Sequence, residues 1–92
     1  MTVALHQKPC VAPRCAWQAV QGDAVVIDLD GRRVMGLNKT ASWVWTHLDG
    51  TRTVAQLVDG VAQTFAVTPE AAQSDVVEFL TSMHARGFLE LS

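Results

Sequence analysis

Charge is scarce in this sequence: only 17% of its 92 residues are charged, and the net charge is −2. The lysines and arginines are scattered, and only Arg32 and Arg33 are adjacent. Sequence-independent nucleic-acid binding needs a basic stripe that collects phosphates, and a polybasic membrane anchor needs a basic cluster; neither is present. No stretch approaches the roughly 20 apolar residues of a membrane-spanning helix. The first residues also lack the charged start and apolar run of a secretory signal, which gives the expectation of a cytoplasmic protein. Cysteine is scarce too. Cys10 and Cys15 form a lone C-x4-C pair, which is no disulfide framework and at most half of a structural zinc site. His6, His47 and His84 are dispersed along the chain. No glycine-rich phosphate loop occurs. The expectation is a protein with no catalytic residues, no metal and no cofactor, in which the role of the two cysteines is left open.

Hydrophobic residues make up 49% of the chain, which is ordinary for a folded domain, and the length allows one domain. Met1 to Arg14 holds Pro9 and Pro13 and shows no sustained period, so residues 1–14 read as a flexible tail and 15–92 as the domain. Three strand signals follow: Cys15 to Val20, Ala24 to Leu29 and Arg32 to Leu37. Gln21-Gly22-Asp23 is a turn cluster, and Asp30-Gly31 is a two-residue hairpin signal. Short connections favour antiparallel neighbours, which makes the third strand an edge.

The period then becomes helical. Asn38 is a good N-cap for a helix to Leu48, with Ala41, Val44, Trp45 and Leu48 on one face and Trp43 flanking it. Thr53-x-x-Gln56 is a capping box for a second helix built on Val54, Leu57, Val58, Val61 and Phe65. Gly60 interrupts that helix at a cost of about 1 kcal/mol relative to Ala. Thr68-Pro69-Glu70 starts a third helix running to about Ala85, with Ala72, Val76, Phe79, Leu80 and Met83 inward and Gly87 just past its end. Phe88 to Leu91 reads as a short strand or a core-packing tail. The fold class is α+β, a three-stranded antiparallel sheet followed by three helices, βββααα.

Paired acids such as Asp28 and Asp30 read as solvated, and His47 and His84 as helix-end histidines favoured by the dipole. The third strand is the sharper signal. Arg32 and Arg33 blunt one end of its edge, whereas Val34, Met35, Gly36 and Leu37 do not. Gly36 removes a side chain where another backbone could approach. The edge therefore either docks an extended peptide by strand addition or is covered by the tail or by a second copy of the chain. On this reading, proline at Met35 removes an edge donor.

The run Gly36-Leu37-Asn38-Lys39-Thr40-Ala41-Ser42-Trp43-Val44-Trp45, followed by Leu48-Asp49-Gly50-Thr51-Arg52-Thr53-Val54, resembles the PqqD family of peptide-recognition elements. Asp75-Val76, Phe79-Leu80 and Gly87-Phe88-Leu89 resemble its closing pattern, and the likeness spans roughly Trp17 to Leu91. The resemblance implies a winged-helix-like fold and a non-catalytic chaperone. Such a protein captures the leader segment of a ribosomally made precursor peptide and presents it to a modifying enzyme, often a radical S-adenosylmethionine protein. Carried onto this chain, the peptide site would use Arg33, Val34, Met35 and Gly36 from the strand and Asp75, Glu78, Phe79 and Ser82 from the third helix. The competing reading is a winged-helix DNA-binding regulator, which shares the topology. Its recognition helix should offer Arg, Lys, Asn or Gln to base edges, whereas the third helix carries Glu70, Asp75 and Glu78, with Arg86 only at its end. An open edge also invites a homodimer.

Overall fold

A computed structural model describes residues 2–13, 15–29 and 33–92. Among these residues the order is β1 (Pro9–Val11), β2 (Cys15–Val20), β3 (Asp23–Asp28), β4 (Arg33–Gly36), α1 (Lys39–Thr46), α2 (Val54–Phe65), α3 (Pro69–Ala85) and β5 (Leu89–Leu91). Strands β2, β3 and β4 form an antiparallel sheet in that order, which the three helices follow. This is the expected βββααα unit. The turn between β2 and β3 is a two-residue connection through Gln21 (φ 54°) and Gly22 (φ 87°), the left-handed pair that matches strand twist. The expected Asp30-Gly31 turn, with Arg32, lies outside the described residues.

The N-terminal stretch departs from the expectation of a loose tail. Strand β1 pairs antiparallel with β5, matching Pro9 to Leu91 and Val11 to Leu89. Phe88 to Leu91 thereby becomes a strand, and the tail does not cover the edge of β4. Upstream of β1, the main chain acts as a cap for α2. The amides of Val54 and Ala55 donate to the carbonyls of Gln7 and Leu5 at 2.9 and 3.0 Å. With the Thr53 capping box, this satisfies the first-turn donors that a helix cannot satisfy itself. Val3 is buried, and its amide donates to Thr81 Oγ1 at 3.2 Å. Local sequence shows none of this, because strand pairing between chain ends leaves no period to read.

The core lies between the sheet and the helices. Ala24 and Val26 of β3 meet Val44 and Trp45 of α1, Leu57 and Val61 of α2, and Val76 and Leu80 of α3, all buried in one cluster. Ser42 stitches α1 to the sheet: its hydroxyl donates to the Leu37 carbonyl at 3.2 Å and accepts the Ala24 amide at 2.8 Å. Asp28, read as solvated, is instead buried on the inward side of β3. Trp45 is in the core as expected, and Trp43 is half-buried. The third helix keeps its cap and its proline start, and Gly87 follows it at φ 81°.

Candidate functional site

The site begins at the edge of β4. In an antiparallel ladder each residue points both its N–H and its C=O to one side, and neighbours alternate. The Leu37 amide donates to Ala24 at 2.9 Å, so Leu37 faces β3. The register Val25↔Gly36, Val26↔Met35, Ile27↔Val34 and Asp28↔Arg33 then turns Met35 and Arg33 toward β3. Val34 and Gly36 present their main-chain donors and acceptors outward. This corrects the expectation for Met35, whose N–H belongs to the internal ladder and not to the edge. Gly36 lacks a positive φ, and a Cβ there would meet no atom within 4 Å, so nothing within the described chain demands glycine. Side chains follow the same alternation. Met35 points to the core side, where the Arg86 guanidinium at the end of α3 approaches its sulfur at 3.9 Å. Val34 points to the outer face and is 70% exposed.

Beyond β4 the chain turns into α1, and a groove of about 380 Å³ opens between the start of α1 and α3. Its accessible apolar surface comes from the half-buried Ala41 and Phe79, over the buried Val44 and Val76, and its polar surface from Asn38, Thr40, Asp75, Glu78 and Ser82. The helix period explains the arrangement. Ala72, Val76, Leu80 and Met83 are buried, and Asp75, Glu78, Phe79 and Ser82 form the next stripe, three and four apart. All four helix residues expected from the sequence therefore line one groove. The four strand residues do not line it: Val34 and Gly36 present the outward edge, and Arg33 and Met35 pair with β3. Sequence reasoning missed the α1 contribution. Asn38 was legible as a cap, accepting the Ala41 amide at 2.8 Å, and Ala41 and Val44 as core. A larger depression of about 740 Å³ lies on the other flank of α3, between Thr2, Glu70, Val77 and Thr81, and shares Glu78 and Ser82. The α1-side groove includes Asn38, two residues past the end of β4.

The remaining chemical groups do not converge. Neither Cys10 nor Cys15 is in a disulfide. Cys10 Sγ donates to the Val11 carbonyl at 3.6 Å, and Cys15 Sγ to the Phe88 carbonyl at 3.9 Å. Among the described residues no group of three or more His, Cys, Asp or Glu side chains could hold a metal ion. His47 caps α1, with its Nδ1 2.6 Å from the Trp43 carbonyl and its ring stacked on Trp43 at 4.0 Å. No described helix is long and apolar enough to cross a membrane.

The architecture is thus an exposed strand edge beside a helix-walled groove, on a three-stranded antiparallel sheet followed by three helices. Solved structures share it. TbiB1 in complex with the TbiA(beta) leader peptide superposes with a TM-score of 0.80, at 18% identity, over 88% of this chain and 94% of that one. The PqqD truncation of Methylobacterium extorquens PqqCD, described as a stand-alone recognition element for ribosomally synthesized and modified peptides, superposes at 0.72, with 21% identity, over 89% and 87%. Residues 23–89 match the family described as Coenzyme PQQ synthesis protein D (PqqD), and the chain belongs to that family. Its relatives include PqqA binding protein 2 of Pseudomonas putida, 34% identical over 84% of this chain and 82% of that protein. The PqqA binding protein of Stutzerimonas stutzeri is 38% identical over 85% and 82%.

Proposed function

We propose that this protein captures the leader segment of a PqqA-like precursor peptide by strand addition to β4 and holds the segment against the groove between α1 and α3. It then presents the rest of the precursor to a modifying enzyme without performing chemistry itself. The observation that carries this reading is the outward orientation of the Val34 and Gly36 main chain beside that groove. Their two N–H and two C=O groups can make up to four hydrogen bonds, each contributing about 0.5–1.5 kcal/mol net. Apolar contact with the groove floor adds to this. A micromolar complex corresponds to about −8 kcal/mol, which these terms can reach for a short segment.

The names of the curated relatives support PqqA as the precursor class, and the family resemblance supports a radical S-adenosylmethionine enzyme as the receiving partner. The acidic stripe of α3 does not favour the DNA-binding alternative. In the absence of peptide the same edge can pair with its copy, so peptide binding and homodimer formation compete. Calorimetric titration with synthetic Pseudomonas putida PqqA tests the proposal, with amide shift mapping of the complex. Saturable binding with the largest shifts at Val34 and Gly36 is expected. Absence of binding at tens of micromolar, or shifts confined to other elements, overturns it.

A further inference from the structure

The groove at the end of β4 combines an apolar floor with a negative rim. Ala41 and Phe79 make up the accessible apolar floor, with Val44 buried beneath them, and Asp75 and Glu78, one helical turn apart on α3, bring two exposed carboxylates to the rim. Among the described residues no lysine, arginine or histidine lines it; Lys39 lines a separate depression beside Asp23 and Trp43. Arg86 lies roughly 12 Å farther along α3 than Glu78, at the 1.5 Å rise of a helix. The opposite wall is the start of α1, whose amino end carries about half a positive charge. Two formal negative charges outweigh it.

Strand addition fixes where the bound segment sends its side chains. Those opposite Val34 and Gly36 go to the outer face, and the alternate ones go to the helix side. Because β4 ends at Gly36, a segment longer than the strand overhangs the groove floor. We infer that the recognised segment places a lysine or arginine at this overhang, its stem on Ala41 and Phe79 and its charged head between Asp75 and Glu78. This rests on the strand-addition reading above and specifies its ligand. Long basic side chains lay their methylenes on apolar surface and keep the charge in water, which matches a groove that is apolar below and acidic only at its lip. An acidic residue at the same place meets like charge, and a short apolar one leaves the rim without a partner.

The test is a selection from a displayed library of random twelve-residue peptides, with the whole folded chain as bait. Enriched peptides are expected to share a Lys or Arg at a fixed position, and the double variant Asp75→Lys/Glu78→Lys is expected to enrich Asp or Glu there instead. Changing that basic residue to Glu in one enriched peptide should weaken binding to the native chain about tenfold at low salt, and less at high salt. Parallel selections use Val34→Pro and Gly36→Pro, each checked for native circular dichroism. If those two variants abolish enrichment but the peptides lack a shared basic residue, or the charge-reversed bait selects the same consensus, the anchor is wrong and strand addition stands. If neither proline variant alters the selection, or nothing is enriched, strand addition fails and the anchor with it.

Discussion

The ring of Trp43 occupies the space that a side chain at Gly60 would need. A Cβ built at Gly60 runs into the outer edge of the indole, with Cζ2 at 3.0 Å and Cζ3 at 3.1 Å, while His47 stacks on the ring. The glycine that looks like a defect in α2 is therefore the seat of a residue from α1. Gly60→Ala gains about 1 kcal/mol of helix propensity, but it overpacks the contact, at a typical cost of 1–3 kcal/mol. A net loss of up to about 2 kcal/mol is expected in urea denaturation. In a Trp43→Ala background the same substitution should become neutral or stabilising, so a double-mutant cycle isolates the contact. An unchanged cost in that background would remove the indole as the cause.

The alternation along β4 separates three proline variants that look alike in sequence. Val34→Pro and Gly36→Pro each remove an outward donor and leave the β3–β4 ladder intact. Stability should change little, and affinity for synthetic Pseudomonas putida PqqA should fall at least about fivefold, the equivalent of one lost hydrogen bond. Met35→Pro removes a donor that faces Val26, so it should lower the unfolding free energy by about 1–3 kcal/mol. Denaturation and titration on the same three variants check both halves. Equal loss of stability in all three would mean that the edge faces the other way.

Local rules carried the sequence reading where the structure is local. The Thr53 capping box and the Thr68-Pro69 start are each set by residues within one turn, whereas Asp75, Glu78, Phe79 and Ser82 are singled out by the family resemblance. What local sequence could not carry is long-range. Pro9 reads as a breaker because its pairing with Leu91 lies at the other end of the chain. Asp28 reads as solvated because only the register shows which face of β3 it shares with Val26. Which side of β4 its donors face is likewise a property of the ladder. The groove wall from Asn38 to Val44 was hidden in a helix whose residues were assigned to capping and core, although the edge strand beside it was legible, and the flank of α3 that faces the groove was not.

Thr51 holds the Asp49 carboxylate in the loop between α1 and α2. The carboxylate accepts the Thr51 hydroxyl at 2.7 Å and the Thr51 amide at 2.9 Å. These two bonds, the hydroxyl first, hold its pKa below the ordinary aspartate value, with a smaller contribution from Arg52. A group depressed in the folded state binds its proton more readily when unfolded. The stability it contributes is present above the ordinary value of about 4 and is lost as pH falls through the lower folded value. Asp49→Asn should therefore flatten the acid side of the stability curve and leave its shape near neutrality unchanged. Urea midpoints from pH 2 to pH 7 for both proteins check this; parallel curves would show that Thr51 does not hold the carboxylate in solution.

The segment before β1 should behave as a strap and not as a tail. Removing residues 2–8 takes away the carbonyls of Leu5 and Gln7 that cap α2, the buried Val3 and its amide bond to Thr81 on α3. It also removes the reciprocal main-chain bonds between Lys8 and Ser92 at 2.9 and 3.2 Å. Burial of a valine contributes about 1.5–3 kcal/mol, and each hydrogen bond about 0.5–1.5 kcal/mol net. The α2 amides regain part of theirs from water, so the expected loss is about 2–5 kcal/mol. A loose tail would leave the urea midpoint where it was. Hydrogen exchange gives the sharper readout: the amides of Val54 and Ala55 should lose protection by more than the change in global stability, because their acceptors have gone. Thr81 shares the depression on the far flank of α3 with Glu78 and Ser82, and the latter two also rim the groove beside β4. Loosening that helix should accordingly weaken peptide binding as well, although none of the deleted residues lines the groove.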